Sequence, residues 1–317
     1  MRDHGGNLDW ARARWGGKDW IDLSTGINRV PYPVPPLPPD AFTALPRASD
    51  MAALLAAVRA AYGTTAPILA LNGAQAAIQM VPLLAPPGLA RIVSPTYNEH
   101  AATLRACNWR VEEVPDLPAL AGADLAVVVN PNNPDGRRWS RAALLDLLPM
   151  VGRLVIDESF ADPDPSQSLA SETHRPGLLV LKSFGKFYGL AGLRLGFVLA
   201  PEGDIARLQA LSGPWPVSGP ALHIGAIALA DRDWAAATTA RLAAETPRLD
   251  AIAARLGWTL IGGTDLFRTY AAPSAADAQA LLAQHQIWSR IFPYSASWLR
   301  LGLPGSDAEW ARLDAVQ

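Results

Sequence analysis

The sequence predicts an α/β protein, with a large domain built on a mostly parallel sheet covered by helices and a smaller C-terminal α/β domain. Short apolar runs alternate with helical patterns between residues 49 and 199, as in parallel strands joined by helices. From about Pro220 the chain changes to long Ala-rich helical patterns followed by short strands. With 317 residues, 50% hydrophobic and 18% charged, it can bury a sizeable core. We expect an N-terminal arm at 1–40, a large domain at 41–220 and a small domain at 221–317.

The elements of the large domain follow a proline-rich strap. Residues 31–39 read PYPVPPLPP, and prolines at this density favour an extended segment over a helix. Ser49 begins a helix whose apolar residues recur at helical spacing and which Gly63 ends. Later strands and helices follow from short apolar runs and from helical periodicity. The predicted strands are 68–71, 92–93, 125–129, 154–157, 178–181 and 195–199, and the predicted helices are 76–84, 99–107 and 140–148.

The small domain is predicted from a second series of patterns. Helical patterns cover 223–229 and 234–256, and we expect Pro247 to kink or break the second of them. The remaining predicted elements are strands at 258–261, 266–271, 287–291 and 298–301 and a helix at 275–285.

Composition argues against several classes of protein. The formal net charge is −2 and no long basic run occurs, so we expect no nucleic-acid partner. Cys107 is the single cysteine and the five histidines are scattered, which argues against a disulfide framework and against a metal site. The N-terminus lacks the apolar core of a signal peptide, and no apolar run is long enough to span a membrane. We therefore expect a cytoplasmic protein without a membrane partner.

The strongest functional signal is a glycine-rich loop that follows the predicted strand at 178–181. Residues 182–196 read KSFGKFYGLAGLRLG and combine a hydroxyl, an amine and a guanidinium. These groups suit a phosphorylated aldehyde, because the amine can form a Schiff base while the other two hold the phosphate. A lysine on a solvated loop is the alternative, but the complete S-x-x-K-x-x-G-L-A-G-x-R string favours the functional interpretation.

This string resembles the cofactor-binding loop of the fold-type I pyridoxal-phosphate enzymes, in the aminotransferase class I and II superfamily. The resemblance implies pyridoxal 5'-phosphate as cofactor and Lys186 as the catalytic lysine that binds it. It also implies that Ser183 and Arg194 hold the cofactor phosphate. Lys182, at the end of the strand, is expected to be structural.

Two further motifs agree with this resemblance. The string NPNNPDG at 130–136 has the composition of a turn, but it also resembles the family's N-P-N-N-P-T-G loop. That match implies that Asn133 donates to the phenolate oxygen of the cofactor and borders the substrate. Asp157 ends an apolar strand, where a carboxylate is costly to bury unless a group such as a pyridinium N–H pairs with it. Glu158 is expected to lie away from the cofactor, and Phe160 stands where many aminotransferases carry a tyrosine.

The resemblance also implies contacts to the cofactor phosphate and to the cofactor ring. Gly73, Ala74 and Gln75 begin a predicted helix, and backbone N–H groups at such a position bind phosphate. Any helix start has this pattern, and it is the resemblance that places the phosphate here. Tyr97, in SPTY at 94–97, is implied as the aromatic side chain that stacks on the ring, with a buried core tyrosine as the alternative.

The N-terminal segments and two arginines indicate the substrate. The string HGGN at 4–7, followed by DLSTGIN at 22–28, resembles the threonine-phosphate decarboxylases, in which this arm folds over the active site. The match implies that His4, Gly5 and Asn28 contact the substrate, although a disordered N-terminus is the alternative. Arg290 and Arg300 are implied at its phosphate and carboxylate, because a guanidinium binds either group through two parallel hydrogen bonds. Exposed arginines are the alternative there.

The resemblance implies decarboxylation of L-threonine O-3-phosphate to (R)-1-amino-2-propanol O-2-phosphate, a step of cobalamin biosynthesis, in a homodimer with shared active sites. An aminotransferase of the histidinol-phosphate type is the main alternative. The same scaffold can align the Cα–H bond, instead of the Cα–carboxylate bond, with the π system of the cofactor ring. A non-catalytic cofactor-binding protein and a nucleotide-binding dehydrogenase are weaker alternatives. Two departures stand out: residues 44–46 are Ala-Leu-Pro where relatives often carry Arg-Tyr-Pro, and Gly185 stands in place of a serine or threonine hydroxyl.

Overall fold

A computed structural model describes residues 4–317, which form two compact units. The small unit contains the described part of Met1–Pro31 together with Pro134–Arg137 and Ala236–Gln317. The large unit contains Tyr32–Asn133 and Arg138–Ala235. The domain boundaries at residues 40 and 220 stay predictions. Among residues 4–317, no helix combines the length and the apolar character needed to cross a membrane.

The secondary structure is mixed throughout the described chain. The strands are β1 (Ile21–Asp22), β2 (Ile68–Asn72), β3 (Leu89–Val93), β4 (Arg110–Val114), β5 (Leu125–Val129), β6 (Leu154–Asp157), β7 (Leu178–Ser183), β8 (Leu195–Leu199), β9 (Thr259–Thr264), β10 (Phe267–Ala271), β11 (Ile287–Trp288), β12 (Arg290–Phe292) and β13 (Ser295–Gly302). The helices are α1 (Leu8–Trp15), α2 (Asp40–Thr43), α3 (Ala48–Tyr62), α4 (Ala74–Met80), α5 (Asn98–Ala106), α6 (Arg141–Leu147), α7 (Phe184–Phe187), α8 (Glu202–Ser212), α9 (Gly219–Ala230), α10 (Arg232–Arg255), α11 (Ala275–Gln284) and α12 (Asp307–Asp314).

The large unit is built on a seven-stranded sheet in the order β2-β8-β7-β6-β5-β3-β4. Strands β3 to β7 pair in parallel, and β8 runs antiparallel to both of its neighbours, β2 and β7. Residues of β5 and β6 are buried along their whole length, which explains their nearly continuous apolar sequences. The predicted mostly parallel sheet is therefore confirmed.

The small unit contains a four-stranded antiparallel sheet in the order β12-β13-β10-β9, with α11 packed against β13. A separate parallel pair joins β1 to β11. The prediction of one strand at 287–291 is wrong, because its two ends pair with different strands. Trp288 pairs with Asp22 of β1, whereas Arg290 pairs with Arg300 of β13.

Other elements of the chain differ from the sequence predictions or were not predicted. Helix α10 continues through Pro247, so of the predicted kink or break the break is wrong and the kink stays a prediction. Leu242 and Leu249 are buried on either side of Pro247, and this burial offsets the missing backbone hydrogen bond. Strand β4 was not predicted because its sequence, RVEEV, is charged, as is common at a sheet edge. The helices that were not predicted are α1, α2, α7, α8 and α12. The strap residues 31–38 form neither helix nor strand, as predicted.

Candidate active site

The nine residues that the sequence assigns to the cofactor all line one cavity of the large unit. The cavity contains about 720 Å³ of space, its open mouth included, which is typical of a small-molecule site. These nine lining residues are Gly73, Ala74, Gln75, Tyr97, Asn133, Asp157, Ser183, Lys186 and Arg194.

Sheet topology explains why segments far apart in sequence meet at this cavity. Strands β2, β5, β6 and β7 all run in the same direction, since β2 and β7 are both antiparallel to β8. Gly73 follows β2, Asp157 ends β6 and Ser183 ends β7. Their side chains or backbone therefore emerge at the same edge of the sheet, where ligands of α/β proteins bind.

Asp157 is a buried carboxylate whose charge is stabilised by its neighbours. Its Oδ2 lies 2.9 Å from Nε2 of His100, and its Oδ1 accepts hydrogen bonds from the backbone N–H and the hydroxyl of Ser159 at 3.0 and 2.5 Å. Burial is the largest influence and would raise the pKa of Asp157, but His100 and Ser159 outweigh it and hold that pKa below its ordinary value. Asp157 is therefore ionised at neutral pH and suits a cationic N–H donor.

Lys186 and Lys182 lie in different environments. Lys186, on α7, is partly exposed and borders the cavity, with its Nζ 5.5 Å from the ring centroid of Phe160. Lys182 is fully buried, with its Nζ 2.8 Å from Oε2 of Glu158 and 3.5 Å from Oδ1 of Asp162. Only an amine at the cavity can react with a ligand there, so the geometry supports Lys186 as the reactive lysine and agrees with a structural role for Lys182.

Glu158 is a partner of Lys182 in the buried ion pair. Besides Lys182, it accepts hydrogen bonds from the Ser168 hydroxyl at 2.5 Å and from the Leu169 backbone N–H at 2.7 Å. Burial opposes the charge of Lys182, but the nearby charges of Glu158 and Asp162 outweigh burial and raise the pKa of Lys182. Glu158 is absent from the cavity lining, in agreement with the prediction.

Arg194 and Gly73 pack against each other at the start of α4. Arg194 adopts a left-handed conformation, with φ of 53°, and its Nη1 donates to the carbonyl of Ala191 at 3.2 Å. Gly73 has φ of 76°, and a Cβ there would lie 2.8 Å from Nη2 of Arg194. Glycine is thus favoured at position 73 both by conformation and by space. A guanidinium beside backbone N–H groups forms an anion-binding environment.

Gly185 lacks a side chain for a packing reason. A Cβ at this position would lie 2.6 Å from Cα of Ala191, closer than non-bonded carbon atoms approach. The loop after α7 therefore fills the space that a serine or threonine side chain would need.

Tyr97 both borders the cavity and packs against the core of the large unit. Its hydroxyl donates to Oε1 of Gln75 at 3.4 Å, and Nε2 of Gln75 donates to the buried Glu99 at 3.1 Å. The two interpretations of Tyr97, a cavity residue and a core residue, are therefore compatible.

The three asparagines of the loop at 130–136 lie in different environments. Asn130 makes two hydrogen bonds with the backbone of Trp139, each at 3.1 Å. Asn132 is fully buried and accepts from the hydroxyl of Thr96 at 2.6 Å. Asn133 is the one whose position borders the cavity.

Five of the six residues assigned to the substrate belong to the small unit, whereas Asn133 belongs to the large unit. His4 is exposed, whereas a Cβ on Gly5 would lie 2.5 Å from the carbonyl oxygen of Ser24. Asn28 is buried, and its Oδ1 accepts from Nη2 of Arg241 at 2.7 Å. This hydrogen bond orients the Asn28 amide.

Arg290 and Arg300 lie directly opposite each other on β12 and β13. Arg300 is only 6% exposed, and its Nη2 donates to the carbonyl of Ser24 at 2.6 Å. Burial and, secondarily, the like charge of Arg290 lower the pKa of Arg300 to about 9. An anion bound at this pair would relieve that electrostatic cost.

Three contributing residues were not predicted from the sequence. His100 and Ser159 form hydrogen bonds with Asp157, and Ser24 accepts a hydrogen bond from the N-terminal arm. His100 lies one helical turn after Tyr97, and this spacing at the start of α5 is the signal that could have indicated it. Among residues 4–317, no group of three or more His, Cys, Asp or Glu side chains could hold a metal ion.

Comparison with known proteins gives consistent matches over nearly the full chain. Residues 19–313 match the family model described as aminotransferase class I and II. The chain is 44% identical to threonine-phosphate decarboxylase of Pseudomonas aeruginosa, covering 100% of this chain and 97% of that protein. It is 42% identical to threonine-phosphate decarboxylase of Sinorhizobium sp, covering 98% and 96%. Histidinol-phosphate aminotransferase from Sinorhizobium meliloti, solved with pyridoxal-5'-phosphate, shares the fold with a TM-score of 0.81 at 20% identity over 97% of this chain and 92% of that one.

Proposed function

Because the chain belongs to the aminotransferase class I and II family, we propose that it is a threonine-phosphate decarboxylase that uses pyridoxal 5'-phosphate. It converts L-threonine O-3-phosphate into (R)-1-amino-2-propanol O-2-phosphate and CO2, a step that serves cobalamin biosynthesis. One observation carries this conclusion: two enzymes of that name are 44% and 42% identical over nearly the whole of both chains. The fold-type I architecture supports it.

The cavity of the large unit fits pyridoxal phosphate on its own chemistry. Lys186 supplies an amine for the cofactor aldehyde, and Asp157 supplies an ionised carboxylate for the ring nitrogen. The space beside Arg194 that a Cβ at Gly73 would fill, together with the backbone at the start of α4, suits the phosphate. We propose that Ala74, Gln75 and Ser183 complete the phosphate site, that Tyr97 stacks on the ring and that Asn133 donates to its phenolate oxygen.

When bound, pyridoxal phosphate stabilises the electron pair released from a bond at the substrate Cα that stands perpendicular to its ring. Asp157 maintains this capacity because its ionised carboxylate keeps a proton on the ring nitrogen. His100 orients that carboxylate through its 2.9 Å contact. Lys186 is the group that returns a proton to Cα after CO2 leaves, since its amine borders the cavity.

The substrate carries two anionic groups, and the residues that hold them decide which bond at Cα breaks. We propose that His4, Gly5, Asn28 and Arg290 hold the phosphate and that Arg300 holds a substrate anion. The paired register of the two arginines and the electrostatic cost of burying Arg300 support an anionic ligand. A zwitterion without a phosphate would leave this cationic pair only partly compensated.

We further propose a cytoplasmic homodimer with residues of both subunits at each active site. Phe42 and Leu45, exposed by 69% and 64%, support a subunit interface, because large apolar side chains gain from removal from water. Leu45 lies where relatives often carry a tyrosine that reaches the partner's cofactor, so that contact is not part of this proposal. Sedimentation of the holoenzyme tests the dimer.

The reaction is tested by following CO2 release from L-threonine O-3-phosphate. We expect stoichiometric CO2 and the phosphorylated amino alcohol, without conversion of the cofactor to its amine form. Formation of a keto product and pyridoxamine phosphate without CO2 would instead identify an aminotransferase. Histidinol phosphate with a 2-oxo acid provides the matched comparison.

A further inference from the structure

Ser24 lies at a junction between the N-terminal arm and the buried arginine of the small unit. Its side chain is completely buried. Its hydroxyl accepts a hydrogen bond from the backbone N–H of Gly6 at 2.7 Å and donates to Oδ1 of Asp22 at 2.5 Å. Its carbonyl oxygen accepts from Nη2 of Arg300 at 2.6 Å. One residue therefore holds both the arm and the guanidinium.

The arm lies so close to Ser24 that only glycine fits at position 5. A Cβ on Gly5 would lie 2.5 Å from the carbonyl oxygen of Ser24 and 3.1 Å from its hydroxyl oxygen. The backbone at Gly5 thus lies near the carbonyl oxygen that accepts from Arg300. His4 directly precedes Gly5 in the chain, and consecutive Cα atoms are about 3.8 Å apart. The backbone of His4 is therefore one residue away from the position at which the arm approaches the carbonyl that binds Arg300.

Ser24 itself is fixed by its neighbours in the sequence. The backbone N–H of Leu23 donates to the carbonyl of Trp288 at 2.8 Å, and the carbonyl of Leu23 accepts from Gly302 at 2.7 Å. Oδ1 of Asp22 also accepts from the backbone N–H of Ser24 at 2.9 Å. Because Leu23 is bonded to residues two positions from Arg290 and from Arg300, the segment supports the arm next to both strands that carry these arginines.

We propose that Ser24 is a positioning residue for the substrate phosphate, acting through the arm rather than by touching the ligand. Its hydroxyl holds Gly6, so that His4 and Arg300 face one anionic group together. The inference rests on the proposed function, because it takes the ligand to be a phosphorylated amino acid. A purely structural hydroxyl would instead affect folding without a specific effect on anion binding.

The test compares two buried serines of the small unit. Ser24→Ala removes the hydroxyl that holds the arm but keeps the carbonyl that binds Arg300. Ser289→Ala is the matched control, because Ser289 is almost equally buried and its hydroxyl has no hydrogen-bond partner among residues 4–317. For Ser24→Ala we expect a rise of roughly 3- to 10-fold in KM for L-threonine O-3-phosphate, the effect of one lost hydrogen bond, with kcat within about twofold of wild type. For Ser289→Ala we expect neither value to change.

Amide hydrogen exchange provides a readout that does not depend on turnover. In the holoenzyme, Ser24→Ala should accelerate exchange in the peptide that contains Gly6, whereas Ser289→Ala should not. Inorganic phosphate should slow this exchange in the wild type and have little effect in Ser24→Ala. Equal exchange and equal KM in the two variants would overturn the proposal.

A second variant approaches the arm from the other side. Gly5→Ala should displace the arm from Ser24 and reproduce both the KM and the exchange effects, while Gly203→Ala, where a Cβ would meet open space, should not. If the wild type releases no CO2 from threonine phosphate, the proposed function fails, yet the phosphate-dependent exchange still tests Ser24. If CO2 is released and the exchange is unaffected, the Ser24 proposal alone fails.

Discussion

Nε2 of His100 lies 2.9 Å from Oδ2 of Asp157, and both side chains are almost completely buried. Burial alone would favour a protonated carboxyl group, since it disfavours charge. The hydrogen bond from His100 and two from Ser159 reverse that preference and keep Asp157 ionised. With Asp157 assigned to the ring nitrogen, as we propose, the electron-accepting capacity of the cofactor would depend on His100, a residue that we do not expect to touch the substrate.

Replacing His100 by phenylalanine should raise the pKa of Asp157. The variant keeps an aromatic ring but loses the hydrogen bond, so burial is opposed only by Ser159. We expect the acidic limb of kcat/KM and the cofactor absorbance titration to move to higher pH. His174→Phe, at an exposed histidine, is the control. An unchanged absorbance titration would contradict the role of His100.

The same carboxylate predicts how stability depends on pH. Because the folded-state pKa of Asp157 is below its ordinary value, its ionised form stabilises the fold above about pH 4. This contribution is lost as the pH falls through the folded-state pKa. In His100→Phe the loss should begin at a higher pH, measured as the thermal unfolding midpoint of the holoenzyme between pH 4 and 7. Parallel curves for variant and wild type would argue against it.

Lys186→Ala should abolish the covalent attachment of the cofactor and decarboxylation. The chain has three lysines, Lys18, Lys182 and Lys186, so borohydride reduction followed by peptide mass analysis gives an unambiguous assignment. We expect the label on Lys186 in the wild type and no label in the variant, with activity reduced by roughly a thousandfold or more. Lys18→Ala, at an exposed lysine, should behave like the wild type. A label on Lys182 would refute the assignment.

Short sequence motifs were sufficient to identify the cavity residues, because the motifs lie at or after the ends of strands. The carboxyl ends of parallel strands meet at one edge, so Asp157 and Ser183 could be placed together without knowing any side-chain contact. The pairing of His100 with Asp157 joins positions 57 residues apart and depends on how α5 packs. Ser24 was missed for the same reason, since its partner Arg300 lies 276 residues away. No local pattern encodes such pairs.

Gly185→Ser tests whether a hydroxyl at this position would improve cofactor binding or whether packing requires glycine. The sequence comparison suggests that serine would add a phosphate ligand, but its Cβ would lie 2.6 Å from Cα of Ala191. We expect destabilisation by about 1–3 kcal/mol from overpacking, and weaker rather than tighter cofactor binding. Thermal unfolding and cofactor titration measure the two effects. Gly203→Ala serves as the control, and tighter cofactor binding in Gly185→Ser would contradict the packing argument.

Lys182→Met tests the buried ion pair on the strand that also carries Ser183. Lys182 is fully buried, pairs with Glu158 and Asp162, and lies 4.5 Å from the ring centroid of Tyr62. Methionine fills a similar volume but leaves two buried carboxyl groups without a cation. We expect a loss of about 3–5 kcal/mol in the free energy of unfolding at neutral pH, as is usual when one partner of a buried pair is removed.

The loss in Lys182→Met should diminish as the pH falls. Burial already raises the pKa of Asp162, and loss of the Lys182 ammonium, which lowers that pKa, should raise it further. A carboxyl group with a raised pKa destabilises the fold when it must ionise, so its protonation as the pH falls should restore part of the stability. The double variant Lys182→Met, Glu158→Gln should recover stability at pH 8 as well. Lys18→Met is the exposed control, and a pH-independent loss would show that Lys182 contributes packing rather than charge.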